Sequence, residues 1–143
     1  MQRVTKEMQQ AFAIASEKLR ECYGEEGIRA GKNQFNNYWA RDGFFSTFGA
    51  VHLHDYEIVK RMLDLFLTYQ RKNGHLPRSL SRSPWIRALT MGLRMHMKEH
   101  YFKGFLTYYS RDQNALFIIA TWEYMKKSKD HNFVVKNFEK ILL

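Results

Sequence analysis

Two Arg-Asp pairs carry the residues best suited to chemistry. The first, Arg41-Asp42, stands in NNYWARDGFF, flanked by Tyr38, Trp39, Phe44 and Phe45. The second, Arg111-Asp112, follows Tyr108 and Tyr109. Carboxylates accept pairs of hydroxyl hydrogens, guanidiniums donate to hydroxyl and ring oxygens, and aromatic rings cover apolar C–H faces. Together they make a set that recognises a polyhydroxylated ligand. Each pair also has a plainer reading, as a helix cap with a local ion pair.

The elements that must hold these residues are helices. Met8, Phe12, Ala15, Leu19 and Cys22 recur at helical spacing after Thr5 and before Gly24. A loop from Glu25 to about Trp39 is punctuated by glycine and asparagine. The apolar stretch from Phe44 to Leu53 reads as a buried helix. Asp55 is a cap candidate for a strong helix through Ile58, Val59, Met62, Leu63, Phe66 and Tyr69, closed by Gly74. His75 to Pro84 reads as a loop, and 85–100 as a weaker basic helix broken by Gly92. Asp112 to Lys127 predicts a further strong helix, and Asp130 caps a last one over Phe133 to Leu143. The class expected is all-α, with about six helices in a single domain over residues 1–143.

An internal echo organises them. Tyr38-Trp-Ala-Arg-Asp42 recurs as Tyr108-Tyr-Ser-Arg-Asp112, 70 residues later. Ile58-Val-Lys-Arg-Met62 recurs as Val134-Val-Lys-Asn-Phe138, 76 residues later. Loop, helix, turn and helix, repeated, predicts stacked helical hairpins. Both Arg-Asp pairs then open a helix, where backbone N–H groups favour an anion.

Composition narrows the alternatives. The chain has 143 residues and is 45% hydrophobic and 15% aromatic, which supports a packed core and excludes disorder. No apolar run has the ~20 residues of a membrane span. The polar start MQRVTKEMQQ does not read as a secretory signal. With the single cysteine, Cys22, this points to a cytoplasmic location. The net charge of +9 is concentrated in residues 71–98, which hold seven Lys/Arg and no acid. That run could meet phosphates, but Trp85 is its one Phe, Tyr or Trp, so nucleic acid is a weaker expectation than a solvated basic face. His52 and His54 point about 200° apart on a helix, so no metal site is expected, and no cofactor. Met91, Met95 and Met97 read as packing residues.

Three segments, YWARDGFF at 38–45, LFLTYQRKNGHLPR at 65–78 and YYSRDQNALFIIATWEYMKKSKDHNFV at 108–134, resemble the α/α-toroid glycosidases. These are the glucoamylase-like enzymes and the amylo-α-1,6-glucosidase domain of glycogen-debranching enzymes, and the likeness spans roughly residues 10–143. The resemblance implies that Asp42 grips a sugar in the innermost subsite beside Arg41. It implies that Tyr38 and Trp39 line that pocket and that Arg78 reaches it from the following loop. Tyr109 and Asp112, with Arg111, would line the next part of the cleft. The family ring has twelve helices and this chain offers about six. It would therefore be half of an (α/α)6 toroid, the N-terminal part of an inverting exo-acting α-glucosidase. The family's general acid and base have no counterpart here, so no catalytic residue is expected. The implied partners are a glucan or oligosaccharide, and either the other half of the ring or a second copy. A helical interaction domain without enzymatic activity is the competing expectation.

Overall fold

The computed structural model describes residues 5–33, 37–80 and 112–142. The first helix, α1 (Lys6–Glu21), begins where Thr5 Oγ1 accepts the Met8 N–H, a side-chain capping bond. Helix α2 (Ala40–His52) and α3 (Tyr56–Thr68) form one hairpin, and α4 (Asp112–Ser128) and α5 (His131–Leu142) form a second. The described residues are thus all-α with paired helices, apart from two short strands. Strand β1 (Tyr38–Trp39) pairs antiparallel with β2 (Ser79–Leu80), Tyr38 opposite Leu80 and Trp39 opposite Ser79. The basic helix expected over 85–100 lies outside the described residues.

The core forms where the two hairpins meet. Phe44 is fully buried, with its ring edge-on to Phe66 of its own hairpin at 4.9 Å and to Phe117 of the other at 5.5 Å. Edge-to-face contacts of this kind are favoured by the ring quadrupole. Phe66 lies late in α3, so α2 and α3 are antiparallel. The helices α2 and α4, by contrast, run in the same direction. Phe44 meets Phe117 near their starts, and Phe48, Val51 and His52 share a groove with Ile119 and Glu123 further along.

Outer helices are tied at equivalent places. Asp55 and Asp130 each precede an outer helix, 75 residues apart. Asp130 accepts from Lys60 Nζ at 2.6 Å, from Tyr124 Oη at 2.8 Å and from the Phe133 N–H at 3.1 Å. Asp55 accepts from Arg20 Nε and Tyr23 Oη, both at 2.9 Å. It makes no capping bond with its side chain. Each turn aspartate therefore receives one cation and one phenol. At the other end of α3, Gln70 Nε2 donates to the Lys140 carbonyl at 2.8 Å. Lys60 to Asp130 and Gln70 to Lys140 each span 70 residues, as stacked repeats require. The 76-residue match of the outer-helix sequences gives way to 75 in the structure, because the turn aspartates and the buried faces set the register.

Candidate functional site: the shared helix-start end

Parallel packing brings the starts of α2 and α4 to one end of the molecule. A single stretch, Gly74 to Leu80, joins them. The Ala40 N–H donates to the Arg78 carbonyl at 2.8 Å, which fixes the start of α2. The Leu76 N–H donates to Asn114 Oδ1 at 3.2 Å, Gln113 Nε2 to the Leu76 carbonyl at 3.2 Å, and Asn114 Nδ2 to the Gly74 carbonyl at 2.9 Å, which fix the start of α4. Side-chain amides suit this place, since each has both a donor and an acceptor with which to satisfy irregular backbone.

Several expected residues share this end. Asp42 lies in the first turn of α2, half-buried, and Asp112 opens α4, exposed. Both sit where the helix dipole favours a negative charge. Arg41 is exposed. The Arg78 guanidinium carbon stands 5.3 Å from the centre of the Trp39 ring, within cation–π range. Tyr109 and Arg111 lie outside the described residues.

Tyr38 corrects one expectation. Its ring is 1% exposed, in the core, with its hydroxyl close to Gly24 and accepting the Glu26 N–H at 3.4 Å. A ring so enclosed cannot cover a ligand face. The alternation of a strand explains it: Tyr38 and Trp39 point to opposite sides, so only one of them can face out.

Gln113 and Asn114 were not among the expected residues. The signal available was two amide side chains directly after Asp112, in a first helical turn where they can reach back to a loop. Gln113 is 6% exposed, and among the described residues its Oε1 has no hydrogen-bond partner; nor does Trp39 Nε1. An acceptor and a donor are thus left unsatisfied on the two elements that flank the 74–80 stretch. Among the described residues no group of three His, Cys, Asp or Glu is placed to hold a metal ion, and no helix is long and apolar enough to cross a membrane.

Comparison with models of known protein families, with curated proteins and with solved structures finds no match to this chain.

Proposed function

We propose that the chain supplies the sugar-binding end of an α-glucan-acting glycosidase of the six-hairpin type, as half of its ring. One observation carries the reading: a single stretch, Gly74 to Leu80, pins the starts of two parallel inner helices, each with an aspartate in its first turn. In this arrangement Asp42 accepts from a pair of sugar hydroxyls. Arg41 donates beside it, and Trp39 backed by Arg78 covers a C–H face. Asp112, preceded by Tyr109 and Arg111, extends the contact to a second sugar unit. Tyr38 supports the pocket from behind. Glycosidic hydrolysis needs two carboxylates across the bond, as acid and as base or nucleophile. Asp42 and Asp112 act here as binding groups, and neither is assigned to that pair.

The test is calorimetric titration of the chain with maltose and with glucose. Asp42→Asn should weaken binding by about 1.5–3 kcal/mol, the scale of hydrogen bonds to a charged group. Unchanged affinity in a variant whose melting is also unchanged would remove Asp42 from the site.

A further inference from the structure

A neutral glucan leaves the net charge of +9 without a use. That charge is concentrated in residues 71–98, which hold seven Lys/Arg and no acid. The described part of the run, residues 71–80, lies at the candidate site. Helix α3 is antiparallel to α2, so the chain leaves α3 at the end where α2 and α4 begin. The Arg71 N–H donates to the His75 carbonyl at 3.0 Å and the Gly74 N–H to the Arg71 carbonyl at 2.9 Å, which folds Arg71 and Lys72 into a tight turn. Gln70 Nε2 donates to the Gly74 carbonyl at 3.1 Å and to the Lys140 carbonyl at 2.8 Å, and Asn114 Nδ2 to the Gly74 carbonyl at 2.9 Å. The turn is thereby held against α4 and the last turn of α5. The run then reaches α2, where Arg78 accepts the Ala40 N–H and stands over Trp39.

Cations from several elements therefore gather at this end: Arg41, Arg71, Lys72, Arg78 and Lys140. Arg41, Lys72 and Lys140 are exposed, and among the described residues none of the three has an ion pair. The fold gives two of them a reason. Lys72 follows the end of α3 and Lys140 lies in the last turn of α5, where the helix dipole favours a cation, as it does for Lys126 and Lys127 in α4. Arg41 has no such reason. It lies in the first turn of α2, where the dipole disfavours a cation.

We infer that this end takes an α-glucan carrying monoester anions, phosphate or sulfate, rather than an unmodified one. This rests on the sugar-binding reading and names its substrate class. Arg41 meets the ester oxygens, since a planar guanidinium donates to such an anion through two parallel N–H groups. Asp42, the next residue, points about 100° away around the helix and keeps the hydroxyls of an unesterified unit. Lys72 and Lys140 add positive potential around the ester. A nucleic acid fits less well. Its backbone is charged at every residue, and Asp42, half-buried and without an ion pair among the described residues, would lie against it.

The probes are maltose and its 6′-phosphate and 6′-sulfate esters, titrated calorimetrically into the full chain at low and at raised salt. An ester should bind about tenfold tighter than maltose at low salt, the scale of a hydrogen bond to a charged group. The gap should narrow as salt rises. A gain with either ester supports the inference, and the larger gain names the anion. Arg41→Gln should bring the ratio of ester to maltose affinity close to one, and Lys72→Gln should lower it if the first variant fails to fold. Maltose binding without preference for either ester overturns the inference and leaves the sugar-binding reading standing. No binding of any of the three overturns both. A preference that Arg41→Gln and Lys72→Gln both leave intact overturns the inference. So does inorganic phosphate or a DNA oligonucleotide binding as tightly as the esters, since the anion would then be read without the sugar.

Discussion

Lys60 Nζ lies 2.6 Å from Asp130 Oδ2, so the second turn of α3 is bonded to the cap of α5. The same carboxylate caps α5 and accepts the Tyr124 phenol. Asp130→Ala removes all three bonds and leaves the phenol of the buried Tyr124 without its acceptor. It should destabilise the fold by about 1–3 kcal/mol, combining a lost cap with a lost charge-assisted bond. Urea unfolding followed by circular dichroism reads this. A change within error would mean that the Asp130 bonds add nothing net to stability.

Acid should weaken the same ties. The hydrogen bond from Arg20 holds the Asp55 carboxyl below its ordinary pKa, and that from Lys60 does so for Asp130. A carboxyl depressed in the folded state stabilises above its unfolded pKa of ~3.9, and that contribution fades as pH falls through the lower folded value. Stability should therefore drop below about pH 4, and the Asp55→Asn/Asp130→Asn double variant should show a flatter acid limb. At high pH the sign reverses. Bonding to Asp130 raises Lys60, and burial raises Tyr23 and Tyr124. The fold should lose stability as the unfolded chain begins to release those protons, from about pH 10 upward. Melting midpoints across the pH range, with an unchanged acid limb in the double variant, would count against the assignment.

The adjacent phenylalanines of the opening motif should behave oppositely. Phe44 is enclosed between Phe66 and Phe117, whereas Phe45 is 56% exposed. Phe44→Ala should cost about 3–5 kcal/mol as a buried ring is lost and a cavity remains. Phe45→Ala should stay within about 0.5 kcal/mol. Equal costs for the two would place the wrong ring in the core.

Met62 sets two glycines. A Cβ at Gly27 would stand 2.6 Å from Met62 Sδ and 3.1 Å from Met62 Cα, and one at Gly43 would strike Met62 Cε. Gly43→Ala meets mainly the tip of a flexible side chain, while Gly27→Ala meets backbone as well. Gly27→Ala should cost about 1–3 kcal/mol, as overpacking does. Met62→Ala should recover more of the Gly43→Ala penalty than of the Gly27→Ala penalty. A double-mutant cycle without that difference would refute the packing described.

Much of this was readable in the chain, and the failures have a common cause. The helix from Asp112 to Lys127, the Asp130 cap and the pairing of helices into two hairpins all follow from local spacing and local capping, and the structure has them, with the helix one residue longer. Asp55 looked equally like a cap. Its carboxylate is instead spent on Arg20 and Tyr23, more than thirty residues earlier. The β1–β2 pair has two residues per strand, too few for alternation to register, and its partners are some forty residues apart. The resemblance implies one pocket for both Tyr38 and Trp39, while the pleat sends one inward. At the candidate site, Asp42, Trp39, Arg78 and Asp112 were legible as types. The anchoring by Gln113 and Asn114 was not, since it depends on where the 74–80 stretch runs.

The two hairpins differ from their junction in how far along the chain they must reach, and this sets an order of assembly. The α2–α3 turn is only Leu53–Asp55, and the α4–α5 turn only Lys129–Asp130. Joining α3 to α4 requires closure across the 43 residues that separate Thr68 from Asp112 in the chain. By chain entropy alone that closure costs on the order of 2 kcal/mol more than closing a tight turn. Each hairpin can gather its own contacts first and so reach the encounter already shaped. The Lys60–Asp130 and Gln70–Lys140 bonds then close last, as latches on preformed halves. Substitutions at Lys60 and Gln70, whose side chains make these bonds, should therefore quicken unfolding while leaving the refolding rate nearly unchanged.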